Sequence, residues 1–444
     1  MVMNDTPDNS RATAVPASRL ARLSRLGSMT AGVAGNMAVN GAAQLGRGQR
    51  PSMRNLLLTP RNIGRVADEL AKMRGAAMKI GQLMSMDTGD VLPPELSQIM
   101  ARLRDDAHFM PPAQLKQVLN ANWPENWLRS FRKFDVRPIA AASIGQVHRA
   151  KLKDGRDLAI KVQYPGVAHS IDSDVANVGV LMRMSGLLPK GFEIKSYLAE
   201  ARQQLHEETD YTREGQQLSN FRELLRDDPR FLVPQQHNDW STPDILAMDY
   251  INGVPIEDMS SAPPEIRDKI AHDLIELTLK ELFTFNLMQT DPNFANYRYN
   301  HATKQIVLLD FGATRALSPT IVSQYLRMMK AGLTDDVDTL ERIANEIGFL
   351  GPQTQPNHRN QVVTLIRLVF SALRDSPSID FAKTELSREL QTKGIALAGD
   401  GFVPPPLPID IIFLQRKFGG VFLLATKLEA KVAIAKIMKA HLFA

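Results

Sequence analysis

The hydrophobic pattern of this 444-residue sequence changes twice along the chain. Its early part repeats apolar residues every three or four positions, as amphipathic helices do. The middle then contains short segments in which apolar and polar residues alternate, as in half-buried strands. Helical periodicity returns after residue 264 and is interrupted by one apolar segment at 305–309. The order of helices, small sheet and helical lobe predicts an α+β chain with two lobes.

The individual elements follow from these patterns and from turn signals such as Asp154-Gly155. Helices are predicted at 61–86, 95–103, 113–121, 172–187, 194–226 and 264–286, and the chain after residue 309 is predicted to be an all-helical tail. Strands are predicted at 131–137, 144–152, 157–164, 231–234, 244–250 and 305–309. We divide the chain accordingly into a basic, partly disordered arm (1–55), a helical extension (56–128), a sheet-containing lobe (129–251) and a helical lobe (252–444).

Composition excludes several classes of protein. The sequence has no cysteine, which excludes disulfides, thiolate zinc sites, iron–sulfur clusters and cysteine nucleophiles. The hydrophobic fraction of 44% and the charged fraction of 23% are those of a globular protein. No segment reaches the roughly 18 apolar residues that a membrane span needs, so we expect no transmembrane helix.

The net charge of +5 lies within the first 60 residues, which contain seven arginines and two aspartates. A nucleic-acid-binding protein usually carries its basic residues in the folded domain, among aromatic residues, and no aromatic residue lies near these arginines. We therefore expect no nucleic-acid partner. Arginines interspersed with Leu20, Leu23 and Leu26 instead suit an anionic membrane surface. A passive basic tail explains the same charge equally well.

A lysine lies within the predicted strand 157–164. Side chains alternate between the two faces of a strand, so Leu158, Ile160 and Val162 share one face and Lys161 lies on the other. A lysine on the inner face of a sheet needs an anion, and either phosphate oxygens or a carboxylate would serve. A solvated position at the edge of the sheet is the ordinary alternative.

Two acidic motifs follow in the second half of the chain. Asp291 precedes Asn296 by five residues, and Asp310 opens an Asp-Phe-Gly tripeptide directly after the predicted strand 305–309. In phosphoryl transfer, one carboxylate orients the attacking hydroxyl, while an amide and a second carboxylate hold Mg²⁺ against the phosphates. Because Lys161 precedes both motifs in the order that protein kinases use, chance is a poor explanation.

A third acidic group lies on the predicted helix 194–226. Glu207, Asp210, Tyr211 and Glu214 recur there at spacings of three and four and would share one face. Carboxylates on one face of a helix repel one another unless cations neutralise their charge. A solvated acidic face is the ordinary interpretation, and Lys161 with a metal ion is the functional one.

The predicted helix 61–86 carries a lysine on an otherwise packed surface. Lys79 and Gln82 share a face with Gly75, which permits close approach of a neighbouring backbone. The lysine needs carboxylates, and Glu208 and Asp210 are the candidates.

Several features of ordinary protein kinases are absent from the sequence. No G-x-G-x-x-G motif precedes Lys161, and Ala140, Ala141, Ala142 and Ser143 stand in the place of the glycine-rich loop. No H-R-D or A-P-E motif accompanies the two acidic motifs. An orthodox protein kinase is therefore the weakest interpretation.

Together these motifs resemble the UbiB or AarF-type family of atypical, protein-kinase-like proteins, whose eukaryotic members include mitochondrial coenzyme-Q-linked kinases. The resemblance covers roughly residues 60–435, and the combination of motifs is specific. It is carried by KIGQ at 79–82, AAASIGQVH at 140–148, AIKVQYPGV at 159–167, EETDYTRE at 207–214, QTDPNFANY at 289–297, LLDFGATR at 308–315 and RKFGG at 416–420.

The resemblance implies a two-lobed protein-kinase-like fold, ATP and Mg²⁺ as cofactors, and a role for each matching residue. Lys161 would contact the nucleotide phosphates with Glu214 as its partner, Asp291 would be the catalytic aspartate, and Asn296 and Asp310 would hold Mg²⁺. The other implied site residues are Ala140, Ala141, Ala142 and Ser143 of the loop, Met248, Asp249 and Ile251 of the hinge whose backbone meets adenine, and Lys79, Gln82, Glu208 and Asp210 of the family's K-x-G-Q and E-x-D motifs.

In the family, the K-x-G-Q helix lies over the active site, where a protein substrate would otherwise bind. We therefore expect an Mg²⁺-dependent ATP-binding atypical kinase or ATPase that supports ubiquinone or related isoprenoid-quinone synthesis at a membrane surface. An ATP-gated protein that binds or presents a quinone precursor is the alternative. Quinone-synthesis proteins, lipids or a second copy of the chain are the expected partners. The expected location is the cytoplasm, the inner face of a bacterial membrane, or the matrix face of a mitochondrial membrane.

Overall fold

The computed structural model describes residues 70, 73–88, 109–142, 144–184, 194–405 and 407–443. They form two compact units. The first unit contains the described residues up to Gln216 together with 235–251, and the second contains 217–234 and the described residues from Asn252 onward. The predicted arm 1–55, the predicted helix 95–103 and Ser143 lie outside the described residues. The four domains predicted from the sequence stay a prediction.

The helices and strands of the described residues are numbered here in chain order. The helices are α1 (Arg74–Thr88), α2 (Pro112–Asn122), α3 (Val167–Met184), α4 (Ile194–Glu208), α5 (Tyr211–Leu224), α6 (Pro264–Lys280), α7 (Pro319–Thr334), α8 (Val337–Ile347), α9 (Pro356–Asp375), α10 (Leu386–Gly399), α11 (Ile409–Lys427) and α12 (Ile434–Leu442). The strands are β1 (Phe131–Phe134), β2 (Ala140–Ala141), β3 (Gly145–Leu152), β4 (Asp157–Gln163), β5 (Phe231–Leu232), β6 (Ile245–Asp249), β7 (Val254–Pro255), β8 (Leu287–Gln289), β9 (Tyr297–Asn300), β10 (Gln305–Leu308), β11 (Thr314–Ala316), β12 (Ile379–Asp380) and β13 (Lys431–Val432).

The first unit is built on a small antiparallel sheet of order β1-β3-β4-β6, with β2 paired to β3. Leu158, Ile160 and Val162 of β4 are fully buried against the aromatic side chains of Trp123, Trp127 and Phe131. The alternation read from the sequence therefore holds, since one face of β4 is wholly apolar. A second apolar cluster joins α1, α3 and α4 to Ile144 and Leu246.

The second unit is mostly helical and contains a small sheet of order β5-β10-β9-β7 and the pair β8-β11. Proline at the first turn and a capping side chain start α7, where the Ser318 hydroxyl accepts a hydrogen bond from the Ile321 N–H. Helix α6 ends in one π-helical turn, 281–285, closed by Asn286 in the left-handed conformation at φ 50°. The α+β fold expected from the sequence is confirmed.

Two predictions about the elements are wrong. The helix predicted at 194–226 is two helices, because the Asp210 carboxylate accepts a hydrogen bond from the Arg213 N–H and caps a new helix at that point. Glu207 and Glu214 therefore lie on different helices and share no face. The tail is not all-helical either, since β11 pairs with β8 and β12 with β13. No helix of the described residues is long and apolar enough to cross a membrane.

Candidate active site

The lysine of β4 and the glutamate of α5 form a buried ion pair in the first unit. The Lys161 Nζ donates hydrogen bonds to both carboxylate oxygens of Glu214 at 2.8 Å, and the two residues are 6% and 1% exposed. The Nζ also lies 5.1 Å from the centre of the Tyr211 ring. Burying a charge costs several kcal/mol unless a partner of opposite charge compensates, so each residue of this pair depends on the other.

The alanine-rich segment before Lys161 forms a tight hairpin. Ala140 and Ala141 pair in β2 with Val147 and Gln146 of β3, and both alanines are exposed. The Ala142 N–H closes the turn on the Gly145 carbonyl at 2.9 Å. These exposed alanines are the described part of the predicted nucleotide loop.

Gly145 begins strand β3 beneath this hairpin. A Cβ at this position would lie 2.4 Å from the Val162 carbonyl oxygen, so only glycine allows β3 and β4 to approach each other this closely. The requirement is a consequence of strand packing, and it fixes the start of β3 beside the end of the lysine strand.

The predicted hinge lies at the end of β6, and its backbone is partly occupied. The Asp249 carboxylate accepts from the Gln235 N–H and contacts the His237 imidazole at 2.8 Å, so this side chain serves the local structure. Met248 is buried in the strand ladder opposite Ala159. Ile251 makes no backbone hydrogen bond to another described residue, which leaves its N–H and C=O for a ligand.

The lysine of the K-x-G-Q motif has a defined partner. The Nζ of Lys79, itself 2% exposed, lies 2.7 Å from a carboxylate oxygen of Glu208 at the end of α4. Of the two carboxylates that the sequence left open, Glu208 is therefore the partner, while Asp210 caps α5. The Gln82 side chain lies outside the described residues.

In the second unit, the loop after β8 holds Asp291 and Asn296 together. The Asn296 amide nitrogen lies 3.4 Å from both the Asp291 carbonyl and its Oδ2, and the Asp291 Oδ1 accepts from the Asn293 N–H. Because its nitrogen is turned to Asp291, the Asn296 amide oxygen is left for another ligand. The Leu309 N–H donates to the Asn296 carbonyl at 3.0 Å and ties this loop to the strand that leads to the next motif.

Asp310 follows β10 in the same unit. Its Oδ1 accepts from the Gly312 N–H at 3.0 Å, and the buried Phe311 ring packs 4.8 Å from Phe221. The pairing of β8 with β11 holds the segments on either side of the two acidic motifs together, and the Thr290 hydroxyl adds a 2.7 Å hydrogen bond to the Ala313 carbonyl.

The donors of the second unit fit Mg²⁺. Among the residues that the structure describes, no three His, Asp or Glu side chains form a group that could hold a metal ion. The Asn296 amide and the Asp310 carboxylate are nonetheless hard oxygen donors, which Mg²⁺ prefers. A magnesium ion bound through one or two such groups takes its remaining ligands from water and phosphate. The chemistry of the donor set therefore agrees with a nucleotide-bound Mg²⁺.

Sequence reasoning missed a second buried pair that supports the Asp291 loop. The Lys417 Nζ on α11 lies 3.2 Å from the Glu281 carboxylate, 3.3 Å from the Gln289 side-chain oxygen and 3.2 Å from the Tyr297 hydroxyl. Burial raises the pKa of Glu281, whereas Glu281 and Tyr297 raise the pKa of Lys417 against the opposing effect of burial. Gln289 and Tyr297 flank the loop, so the lysine fixes both of its ends.

Gly420 contacts the same loop one turn farther along α11. A Cβ on Gly420 would lie 2.2 Å from the Pro292 Cβ, so the helix backbone rests directly against the residue after Asp291. The signal available in the sequence was a lysine and a double glycine within an otherwise apolar helix. That signal does not identify the residues that Lys417 contacts, because Lys417 and Gln289 are far apart in the chain.

Comparison with known proteins gives a consistent result. A family model described as the ABC1 atypical kinase-like domain matches residues 102–344. The chain is 38% identical to the atypical kinase COQ8, mitochondrial, of Saccharomyces cerevisiae, over 97% of this chain and 86% of the yeast protein. It is 36% identical to the atypical kinase COQ8B, mitochondrial, of Rattus norvegicus, over 96% of this chain and 81% of that protein.

A solved structure shares the fold. The Mycobacterium tuberculosis protein Rv3197, determined as a complex with erythromycin, matches with a TM-score of 0.60 at 23% identity, over 84% of this chain and 93% of that one. At this level of identity the match supports a shared fold alone.

Proposed function

The chain belongs to the ABC1 atypical kinase-like family, the UbiB group that its motifs indicated, and is an atypical kinase; we propose that it binds Mg²⁺-ATP and turns it over in support of isoprenoid-quinone synthesis. The observation that carries the proposal is the bidentate, buried Lys161–Glu214 pair. A lysine so held is oriented for phosphate oxygens, and this pair is a required part of protein-kinase catalysis.

The second unit supports the same proposal with its own residues. Asn296 and Asp310 would hold Mg²⁺, which when bound would neutralise charge on the phosphates. Asp291 would orient the attacking hydroxyl, since its carboxylate is held in place by the Asn293 N–H and the Asn296 amide. The hydroxyl acceptor is a small molecule or water in this proposal.

The test is nucleotide binding and hydrolysis by the purified chain in the presence of Mg²⁺. Asp310→Asn keeps the shape of the side chain and removes its charge, so it should abolish Mg²⁺-dependent binding and turnover. Asp227→Asn is the control, because the Asp227 carboxylate is 93% exposed in the same unit. Wild-type turnover by Asp310→Asn would contradict the proposal.

A second candidate function is an ATP-gated protein that binds or presents a quinone precursor with little phosphoryl transfer. The observation in its favour is the Lys79–Glu208 ion pair, which fastens the K-x-G-Q helix to the E-x-D segment. In that case the protein would bind ATP stoichiometrically and release phosphate at a negligible rate. Adding phenols that mimic the quinone head group would then change nucleotide affinity without raising turnover.

The relatives' names place those proteins in mitochondria, and we propose that this chain acts at a membrane surface. The arginine-rich segment before residue 60 is the proposed contact, since each arginine near an anionic leaflet contributes about 1 kcal/mol. Liposomes containing cardiolipin or phosphatidylglycerol should co-sediment with the full chain and raise its ATPase activity. A truncated chain that starts at Pro60 should lose both effects, and equal behaviour of the two chains would contradict the membrane role.

A further inference from the structure

A large apolar cavity lies within the helical second unit. It has a volume of about 470 Å³, is lined mainly by side chains of α6, α7, α9, α10, α11 and α12, and is open to solvent on one side. Its lining contains no charged residue and includes five phenylalanines: Phe349, Phe370, Phe381, Phe418 and Phe422. Ligand pockets typically occupy about 300–1,000 Å³ and are lined mainly by apolar and aromatic side chains, so this cavity has the size and chemistry of a binding site.

The cavity is far larger than the voids that a packed hydrophobic core normally contains. Protein interiors are close-packed, with few voids larger than a water molecule. Tyr325 lines the cavity and is 3% exposed, yet its hydroxyl makes no hydrogen bond within the described part of the chain. The hydroxyl can therefore donate a hydrogen bond to a molecule bound in the cavity.

A second recess, of about 760 Å³, adjoins the first and is basic. It is lined by Arg374, Asp375, Lys436 and Lys439, and Leu373 lines both the recess and the apolar cavity. Helix α12 contributes to both spaces: Ile434 and Met438 to the apolar cavity, and the two lysines to the recess. Arg374 is engaged by Asp335, whereas Lys436 and Lys439 are exposed and make no ion pair to another described residue.

We propose that these two spaces bind a single-chain anionic amphiphile, with its hydrocarbon chain in the apolar cavity and its charged headgroup beside Lys436 and Lys439. A water molecule occupies about 30 Å³ in the liquid and a methylene group is of similar size, so the cavity has space for a chain of roughly fifteen carbons. The absence of charge in the cavity lining disfavours a charged peptide. None of the residues that line the two spaces is among those proposed to bind nucleotide.

Binding is measured by displacement of the uncharged fluorescent probe N-phenyl-1-naphthylamine from the full chain, with each amphiphile below its micelle concentration. Dodecyl phosphate, laurate and farnesyl phosphate are compared with dodecanol. The anionic compounds should bind about fivefold more tightly than dodecanol for each lysine engaged. Tighter binding of laurate would identify a fatty-acid source, and tighter binding of farnesyl phosphate an isoprenoid one.

Two matched pairs of variants decide the outcome. Gly419 lines the cavity, and a Cβ there would meet nothing within 4 Å, so Gly419→Phe should fill the space without a clash and weaken binding at least about tenfold. Gly399→Phe is its control, since Gly399 is also a helical glycine in open space but lines neither cavity. If Gly419→Phe fails to fold, Ser387→Phe at the exposed mouth of the cavity replaces it.

The second pair tests the headgroup. Lys439→Glu should remove the preference for the anionic compounds, whereas Lys427→Glu should keep it, because both lysines lie in the last turn of a helix but only Lys439 lines the recess. Equal affinities of Gly419→Phe and wild type would overturn the proposal. An anionic preference that survives in Lys439→Glu and in the Lys436→Glu/Lys439→Glu double variant would overturn the headgroup assignment.

Discussion

The Lys161–Glu214 pair of the first unit and the Lys417–Glu281 pair of the second unit are both buried, and the two pairs are built differently. In the first unit, Lys161 donates to both oxygens of Glu214 at 2.8 Å. In the second, the Lys417 ammonium donates hydrogen bonds to Gln289 and Tyr297 and lies 3.2 Å from the Glu281 carboxylate. The difference indicates two roles, since the bidentate contact orients the Lys161 ammonium, whereas Lys417 joins several segments to one helix.

The largest expected effect is on stability and does not separate the pairs. Lys161→Met and Lys417→Met each leave a buried carboxylate without its cation, so each should lower the free energy of unfolding by about 3–5 kcal/mol. Urea unfolding of the two variants measures this loss. Wild-type stability of Lys417→Met would mean that water reaches Glu281, which is 1% exposed.

Double variants should separate the pairs by activity. Replacing both charges with apolar groups of similar volume usually restores most of the stability. Lys161→Met/Glu214→Leu should still lose at least about a hundredfold in turnover, roughly 3 kcal/mol of transition-state stabilisation. Lys417→Met/Glu281→Leu should retain turnover to within about tenfold. The comparison fails if the two double variants lose activity equally after both have been shown to fold.

A buried histidine on strand β3 extends the comparison, because burial outweighs the effect of the nearby Asp135 carboxylate on its pKa. His148 is fully buried, contacts the Asp135 carbonyl and the Gln146 side chain, and has its pKa lowered from 6.5 to about 4 by burial. Below pH 6.5, His148 therefore binds a proton in the unfolded chain, whereas in the folded chain it does so only below about pH 4. The contribution of His148 to the free energy of unfolding is therefore complete above pH 6.5 and decreases as the pH falls. Between pH 7.5 and 5 the loss should be about 2 kcal/mol.

The measurement is urea unfolding of the wild type and of His148→Gln at both pH values. Glutamine keeps a polar group at the site but cannot gain a charge, so the difference between the two proteins should shrink as the pH falls. A parallel pH dependence in both proteins would show that His148 is not responsible.

The smallest expected effects compare two neighbouring glycines on α11. Gly420→Ala places a methyl group against Pro292 and should cost about 1 kcal/mol net while lowering turnover. Gly419→Ala meets open space and should stabilise the helix by up to about 1 kcal/mol without affecting turnover. Thermal unfolding and steady-state ATPase measurements compare the two. Equal shifts would show that α11 does not support the Asp291 loop.

The sequence by itself determined the parts of this protein that depend on local order. Alternation in a strand assigns Lys161 to the face opposite Leu158 and Ile160, because successive side chains point to opposite sides whatever the rest of the chain does. The spacing of Asp291 and Asn296 likewise lies within one short loop. The family and the α+β fold followed from such local motifs taken in order.

Only the tertiary structure decided which distant residues meet. It selected Glu208 for Lys79, used Asp210 as a helix cap, and brought Lys417 to the Asp291 loop. Periodicity shows which face of a helix is buried but not what that face packs against, since the partner depends on how helices far apart in sequence pack. A buried lysine can pair with any carboxylate that packing brings within reach, so its partner is a property of the fold.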